Sequence, residues 1–194
     1  MNDFFSLVQR TRSCRRFNQD PLVDAALLES CVKLARMTAS AANLQPLKYI
    51  LSCNANTNQA IYDCLGWAGY LKDWPGPVPD ERPTGYIVML GDQHIAKNFD
   101  MDIGIAAQTI MLGAYNQGFA GCMLANIRHQ QLSHHLEIAD HLKILLVLAL
   151  GAPKESIVIE PVNADGNCQY YRDEQGIHHV PKRSLDELIV HIYQ

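Results

Sequence analysis

Apolar side chains recur along this chain at two spacings, and the switching between them predicts helices interleaved with buried strands. Phe4, Leu7 and Val8 share one face of a short helix over Phe4–Arg10, and Pro21 then breaks the chain. Val23–Met37 is amphipathic, with Leu27, Leu28, Cys31, Leu34 and Ala35 at helical spacing. Leu47–Cys53 and Tyr86–Leu90 predict strands, and Asn56–Leu65 predicts a helix. Ile144–Leu150 is an unbroken apolar run, the pattern of a strand covered on both faces. Tyr170–His179 reads as extended, with Gly176 at a turn or bulge. Ser184–Ile192 predicts a closing helix, with Ser184 as N-cap and Glu187 at the capping-box position.

The helix predicted over Asp100–Tyr115 has a different pattern. Ile103, Ile105, Ala106, Ala107, Ile110, Met111, Leu112 and Ala114 leave it apolar nearly all round, and no charge falls between Ile103 and Ala114. A helix without a wet face is covered on every side, by its own core or by a second subunit. Between these elements lie two irregular stretches. Ala39–Pro46 is a loop of small and amide residues, and Pro75, Pro77, Pro79 and Pro83 exclude regular helix or central strand. The proline-rich stretch reads as a surface excursion over a pocket, not as a linker. With no internal repeat, the expectation is one domain over residues 1–194, an α/β or α+β sandwich.

Composition narrows the function. With 48% hydrophobic and 19% charged residues the chain is built to fold. Its net charge of −4 argues against a general nucleic-acid binder. Against that acidic background, four of the sixteen basic residues crowd into Arg10-Thr11-Arg12-Ser13-Cys14-Arg15-Arg16. Arginine forks beside a hydroxyl suit phosphate oxygens, so a small phosphorylated ligand is the first candidate. The alternatives are a solvated helix end and, against the overall charge, RNA. Met1–Val8 lacks a basic stretch leading into an apolar one, and the longest apolar run, Ile144–Ala152, is too short to span a bilayer. The expectation is a cytoplasmic protein without a membrane partner.

The six cysteines form no Cys-x-x-Cys pair, which reads as reduced, mostly buried thiols. The adjacent pairs His134-His135 and His178-His179 point apart and make poor joint ligands, so no metal is expected.

Four stretches, in order, give the chain a resemblance to the FMN-dependent nitroreductases. Arg12-Ser13-Cys14-Arg15-Arg16-Phe17 is similar to the family's Arg-Ser-x-Arg-x-Phe motif. Ala39-Ser40-Ala41-Ala42-Asn43-Leu44-Gln45-Pro46 is similar to its Pro-Ser-x-x-Asn-x-Gln-Pro loop. Asp102-Ile103-Gly104, Gln108 and Gly118–Ala125 resemble its long central helix and the glycine-rich turn after it. Leu148–Pro153 resembles its strand ending in Gly-x-Pro. The resemblance implies an α+β fold: a three-layer α-β-α sandwich with a mainly antiparallel sheet and the long helix at a homodimer interface.

It also implies roles. Arg12 and Ser13 hold the FMN phosphate, completed by Arg183 with Lys182, and Arg15 lies toward N1 and O2 of the flavin. Ala39, Ser40, Ala41 and Asn43 reach the flavin from the second subunit. Leu124 and Ala125 lie near N5, and Met123 borders the substrate pocket. No side chain is assigned as catalytic, since the flavin carries the chemistry. The implied reaction passes hydride from NAD(P)H to a small acceptor of the nitroaromatic or quinone class. Alternatives on the same fold are an oxidase, a dehalogenase, or a non-catalytic FMN sensor. The chain departs from the family pattern at Ala39 (usually Pro), at Leu47 (often Trp) and at Ala125-Asn126 (often glycine), which bears on the pocket more than on FMN.

Overall fold

The computed structural model describes residues 3–194, with side chains from Phe4 onward. Met1 and Asn2, which begin the stretch read for a leader, lie outside them. The chain divides into two units: Met1–Trp67 with Pro75–Lys154, and Ala68–Trp74 with Glu155–Gln194.

The first unit runs α1 (Asp3–Arg10), β1 (Phe17–Asn18), α2 (Ala25–Ala35), β2 (Leu47–Ser52), α3 (Ala55–Asp63), β3 (Gly85–Asp92), α4 (Asp100–Asn116), β4 (Ala120–Leu124), α5 (His129–His135) and β5 (Leu142–Pro153). Its sheet is antiparallel throughout, in the order β1-β5-β3-β2, with β4 also paired to β5. Alternation along β3 and β5 explains why both read as continuous apolar runs. Ile87, Met89, Leu148 and Leu150 turn to one face, where α2 and α4 supply Leu28, Cys31, Ala107 and Ile110. Tyr86, Val88, Val147 and Ala149 turn to the other, against Ile61 of α3 and Leu132 of α5. The result is helix, sheet, helix in three layers. Each of these leucines, isoleucines and valines contributes on the order of 2 kcal/mol by leaving water.

Local chemistry sets the helix ends. Asp24 caps α2 by accepting from the Leu27 N–H at 2.8 Å, and Asn54 caps α3 by accepting from the N–H groups of Asn56 and Thr57. α4 is followed by Gly118 at φ 84°, a left-handed exit that glycine adopts at no steric cost. Gly121, by contrast, is no turn residue. It lies within β4, where a Cβ would stand 2.2 Å from the Ala149 carbonyl oxygen.

α4 is not covered all round by its own chain: Met101 and Ile105 are 69% and 41% exposed, and Gly104 and Gln108 are exposed with them. Four of the six cysteines are buried and none is in a disulfide. Among the described residues no helix is long and apolar enough to cross a membrane.

The second unit carries β6 (Ile157–Pro161), β7 (Tyr171–Arg172), β8 (His178–Lys182) and α6 (Leu185–Leu188). β8 is central, parallel to β6 and antiparallel to β7. The predicted capping box of α6 is present: the Ser184 hydroxyl accepts from the Glu187 N–H and the Glu187 carboxylate accepts from the Ser184 N–H. The helix itself ends at Leu188, not Ile192, because Ile189 is already extended and Val190 and Ile192 find no apolar cover. Tyr70 packs edge-on to Tyr170 at 4.9 Å and the Arg172 guanidinium lies over Trp74, so these aromatics of the unit are packing residues.

Candidate functional site

The basic motif takes its place from the backbone. After α1 the chain runs alongside β4: Ser13 and Gly121 form a parallel bridge, and the Cys14 N–H donates to the Gly121 carbonyl at 2.8 Å. The first and third sequence motifs therefore meet. Ser13 is exposed and Arg15 is buried. Arg12 is half-buried and folds back on the end of α1, where its Nε donates to the Thr11 carbonyl and its Nη2 to the Val8 carbonyl. This satisfies carbonyls that a helix C-terminus leaves open. At the far end of β4, Met123 is exposed, Leu124 buried and Ala125 exposed.

Arg16 has a different partner. Its guanidinium grips Glu81 through two hydrogen bonds of 2.6 and 2.7 Å, and Lys154 adds an ion pair at 3.0 Å. Glu81 is only 7% exposed, and hydrogen bonding from Arg16 holds its carboxyl down to about 2. This carboxylate fastens the proline-rich stretch to the arginine motif. The same stretch lines a cavity of about 250 Å³, with Pro79, Arg82 and Thr84 facing Leu22, Asn58 and Tyr62. Within it the Arg82 guanidinium stacks 3.9 Å from the Tyr62 ring and donates to Gln59.

The Ala39–Pro46 loop is fastened to the N-terminal turn of α4. Asp102, 6% exposed, accepts from the Ser40 hydroxyl at 2.6 Å and from the Ala41 N–H at 2.9 Å. Ser40 Oγ in turn accepts from the Gln45 N–H at 2.9 Å. Ala42, Asn43 and Gln45 all have left-handed backbones, at φ 48°, 54° and 51°. Such a conformation costs a non-glycine residue about 1–2 kcal/mol, so the Asp102 contacts help hold a strained loop in one shape. The side chains of Ala41, Ala42, Asn43 and Gln45 face solvent. A cavity of about 270 Å³ opens between Thr38, Ala39, Ser40, Tyr49 and Asp102. Burial, with the Asp102 charge behind it, pushes the Tyr49 phenol up.

Lys182 and Arg183 belong to the second unit. Lys182 ends β8, and Arg183 is exposed and pairs with Glu187 at 3.1 Å. Sequence reading missed two anchoring acids, Asp102 and Glu81. Asp102 reads from sequence as a helix-dipole acid, and its loop partner lies 62 positions away. Glu81 sits in the proline stretch, 65 positions from Arg16, with no local periodicity to mark it. The Asn126 departure also finds a reason: its side chain fills the space where a Cβ on Gly66 would lie 2.0 Å from Nδ2.

Comparison with known proteins agrees with this architecture. The model of the nitroreductase family matches residues 8–75 and 70–152. No curated protein sequence matches the chain. A nitroreductase-like protein from Streptococcus mutans superposes with a TM-score of 0.70 at 15% identity over 100% of both chains. A putative NADH dehydrogenase/NAD(P)H nitroreductase from Parabacteroides distasonis gives 0.67 at 20% identity, covering 90% of this chain and 99% of its own. An FMN-dependent nitroreductase from Clostridium difficile gives 0.62 at 18% identity, over 78% and 88%. At these identities the likeness establishes the fold, and the family match spans the sheet, the arginine motif and the α4 loop: the chain belongs to the nitroreductase family.

Proposed function

We propose that this protein is an FMN-dependent oxidoreductase that carries hydride from NAD(P)H to a small oxidised acceptor of the nitroaromatic or quinone class, acting as a cytoplasmic homodimer. The observation that carries the reading is the Ser13–Gly121 bridge, which lays a phosphate-type donor set along the strand that leads to Leu124 and Ala125. The chemistry of that set fits FMN. Arg12 offers its positive charge and its Nη1 group, and Ser13 a hydroxyl, to a phosphate. The positive guanidinium of Arg15 favours a more negative, reduced cofactor. By the family resemblance, Lys182 and Arg183 are the further cations assigned to that phosphate. Bound FMN supplies hydride acceptance and donation at N5. The chain's part is to bind, to orient and to admit the acceptor beside the exposed Met123 and Ala125.

Two features support a second subunit. The Met101, Gly104, Ile105 and Gln108 face of α4 is open in the single chain. The Ala39, Ser40, Ala41 and Asn43 segment is held rigid by Asp102 with its tip in solvent, as a segment that reaches into a partner's site requires.

The test is FMN affinity, read by quenching of flavin fluorescence. Arg12→Ala with Ser13→Ala removes a charge-assisted and a neutral donor and weakens binding about tenfold or more. Ser13→Ala alone leaves the α1 contacts of Arg12 intact and still weakens binding measurably. Unchanged affinity in both folded variants contradicts the phosphate assignment.

A further inference from the structure

We infer that Asp92, His94 and His141 form a site for a zinc-class divalent cation. One donor atom from each of the three lies within 4.8 Å of the others. The backbone holds them there. Asp92 is the last residue of β3, His141 precedes the first residue of β5, and the ladder pairs Asp92 with Leu142. The Gln93 N–H donates to the His141 carbonyl at 2.9 Å, closing the two strand ends together. The two imidazole rings stack with centroids 4.5 Å apart and planes 2° from parallel. Asp92 Oδ1 accepts from the His94 N–H at 3.0 Å, which fixes the carboxylate and leaves Oδ2 for an ion.

The donor set selects the metal class. Two imidazoles and one carboxylate suit zinc and its neighbours, whereas magnesium and calcium require oxygen cages. Bonds of about 2.0–2.1 Å place tetrahedral ligands roughly 3.4 Å apart, so binding an ion requires the two rings to leave their parallel stack and turn a nitrogen each toward a common point beside Asp92. Three protein ligands leave the fourth position to water. His94 is exposed and His141 half-buried, so an ion has a path in. The second unit offers a contrast. His179 meets Glu160 and Asp173 through its opposite ring nitrogens, which diverge and cannot share one ion.

The position gives the ion a consequence. The Asp92 N–H donates to the Pro46 carbonyl at 2.9 Å, so the clamped strand end is also where the Ala39–Pro46 loop rejoins the sheet. From Gln93 the chain leads on to α4 and Asp102, the loop's other anchor. A bound cation closes the base of this segment.

Calorimetric titration of the tag-free, chelator-treated protein with Zn²⁺ tests the site. The expected result is one ion per chain. Affinity falls about tenfold or more in His94→Ala, in His141→Ala and in Asp92→Asn, which retains an acceptor for the His94 N–H. A His134→Ala/His135→Ala variant keeps the native affinity. Zn²⁺ also raises the melting temperature of the native protein and not that of His94→Ala. Absence of stoichiometric binding, or equal binding by native and His94→Ala proteins, overturns the assignment, as does loss of binding in the His134/His135 variant.

Discussion

Glu81 is a carboxylate on which two cations converge at the rim of the arginine motif, and it carries a clear pH signature. Its folded value of about 2 lies below its ordinary 4.5, so the stability it contributes is present above about pH 4.5 and is lost as pH falls toward 2. Glu81→Gln loses on the order of 2 kcal/mol at pH 7, allowing for the partly exposed Arg16 and Lys154, and its acid unfolding curve is correspondingly flatter. Denaturant titrations at pH 7 and pH 3.5 measure both effects. His179 has the opposite sign. Hydrogen bonds to Asp173 and then Glu160 raise it above its ordinary 6.5, and the same contact lowers Asp173 below 3.8. The His179–Asp173 contact between β8 and the β7–β8 turn is therefore complete from about pH 4 to 6.5 and loosens as pH rises through the raised histidine value. Amide exchange in β8, corrected for its intrinsic pH dependence, speeds up above neutrality in native protein and shows no such step in His179→Gln. At this scale the sequence exposed the arginine cluster but not its division of labour. Arg12, Arg15 and Arg16 are equivalent in a string, and only their partners separate them: the α1 carbonyls for Arg12 and the remote Glu81 for Arg16.

The elements that sequence revealed are those whose surroundings are uniform. β3 and β5 are apolar along Tyr86–Leu90 and Ile144–Leu150 because helices cover both faces there, and α4 stands out because it has almost no polar stripe. β4 was legible only as a glycine-rich turn. Its Gly121 answers to the Ala149 carbonyl of a neighbouring strand, a constraint that no local pattern carries. α5, with a single fully buried residue in Leu132, has too little periodicity to register, and its adjacent histidines read only as poor joint ligands. β6 is short and half-exposed, and α6 is shorter than its hydrophobic pattern because propensity without packing does not extend a helix. The Ala39–Pro46 loop was recognisable by motif, but its strained backbone and its anchor were not. Asp102→Ala leaves the Ser40 hydroxyl and the Ala41 N–H without their acceptor, and destabilises the protein by about 1–3 kcal/mol. Hydrogen exchange checks the location of the effect: amides 40–46 lose protection while β3 and β5 keep theirs.

For the whole molecule, the sheet and its two helical layers place an arginine-rich segment, a strand end and a strained loop on one scaffold, and the family assignment gives that scaffold a chemistry. The acceptor, the choice of nicotinamide donor and the second subunit rest on the proposed reading, and one observation bears on all of it. The visible spectrum of the purified protein, supplemented with FMN and then mixed anaerobically with NADH or NADPH, tests the central claim directly. The account predicts a protein-bound flavin spectrum that bleaches on addition of at least one nicotinamide and returns on addition of a quinone. A protein that binds no flavin, or one whose bound flavin neither nicotinamide reduces, contradicts it.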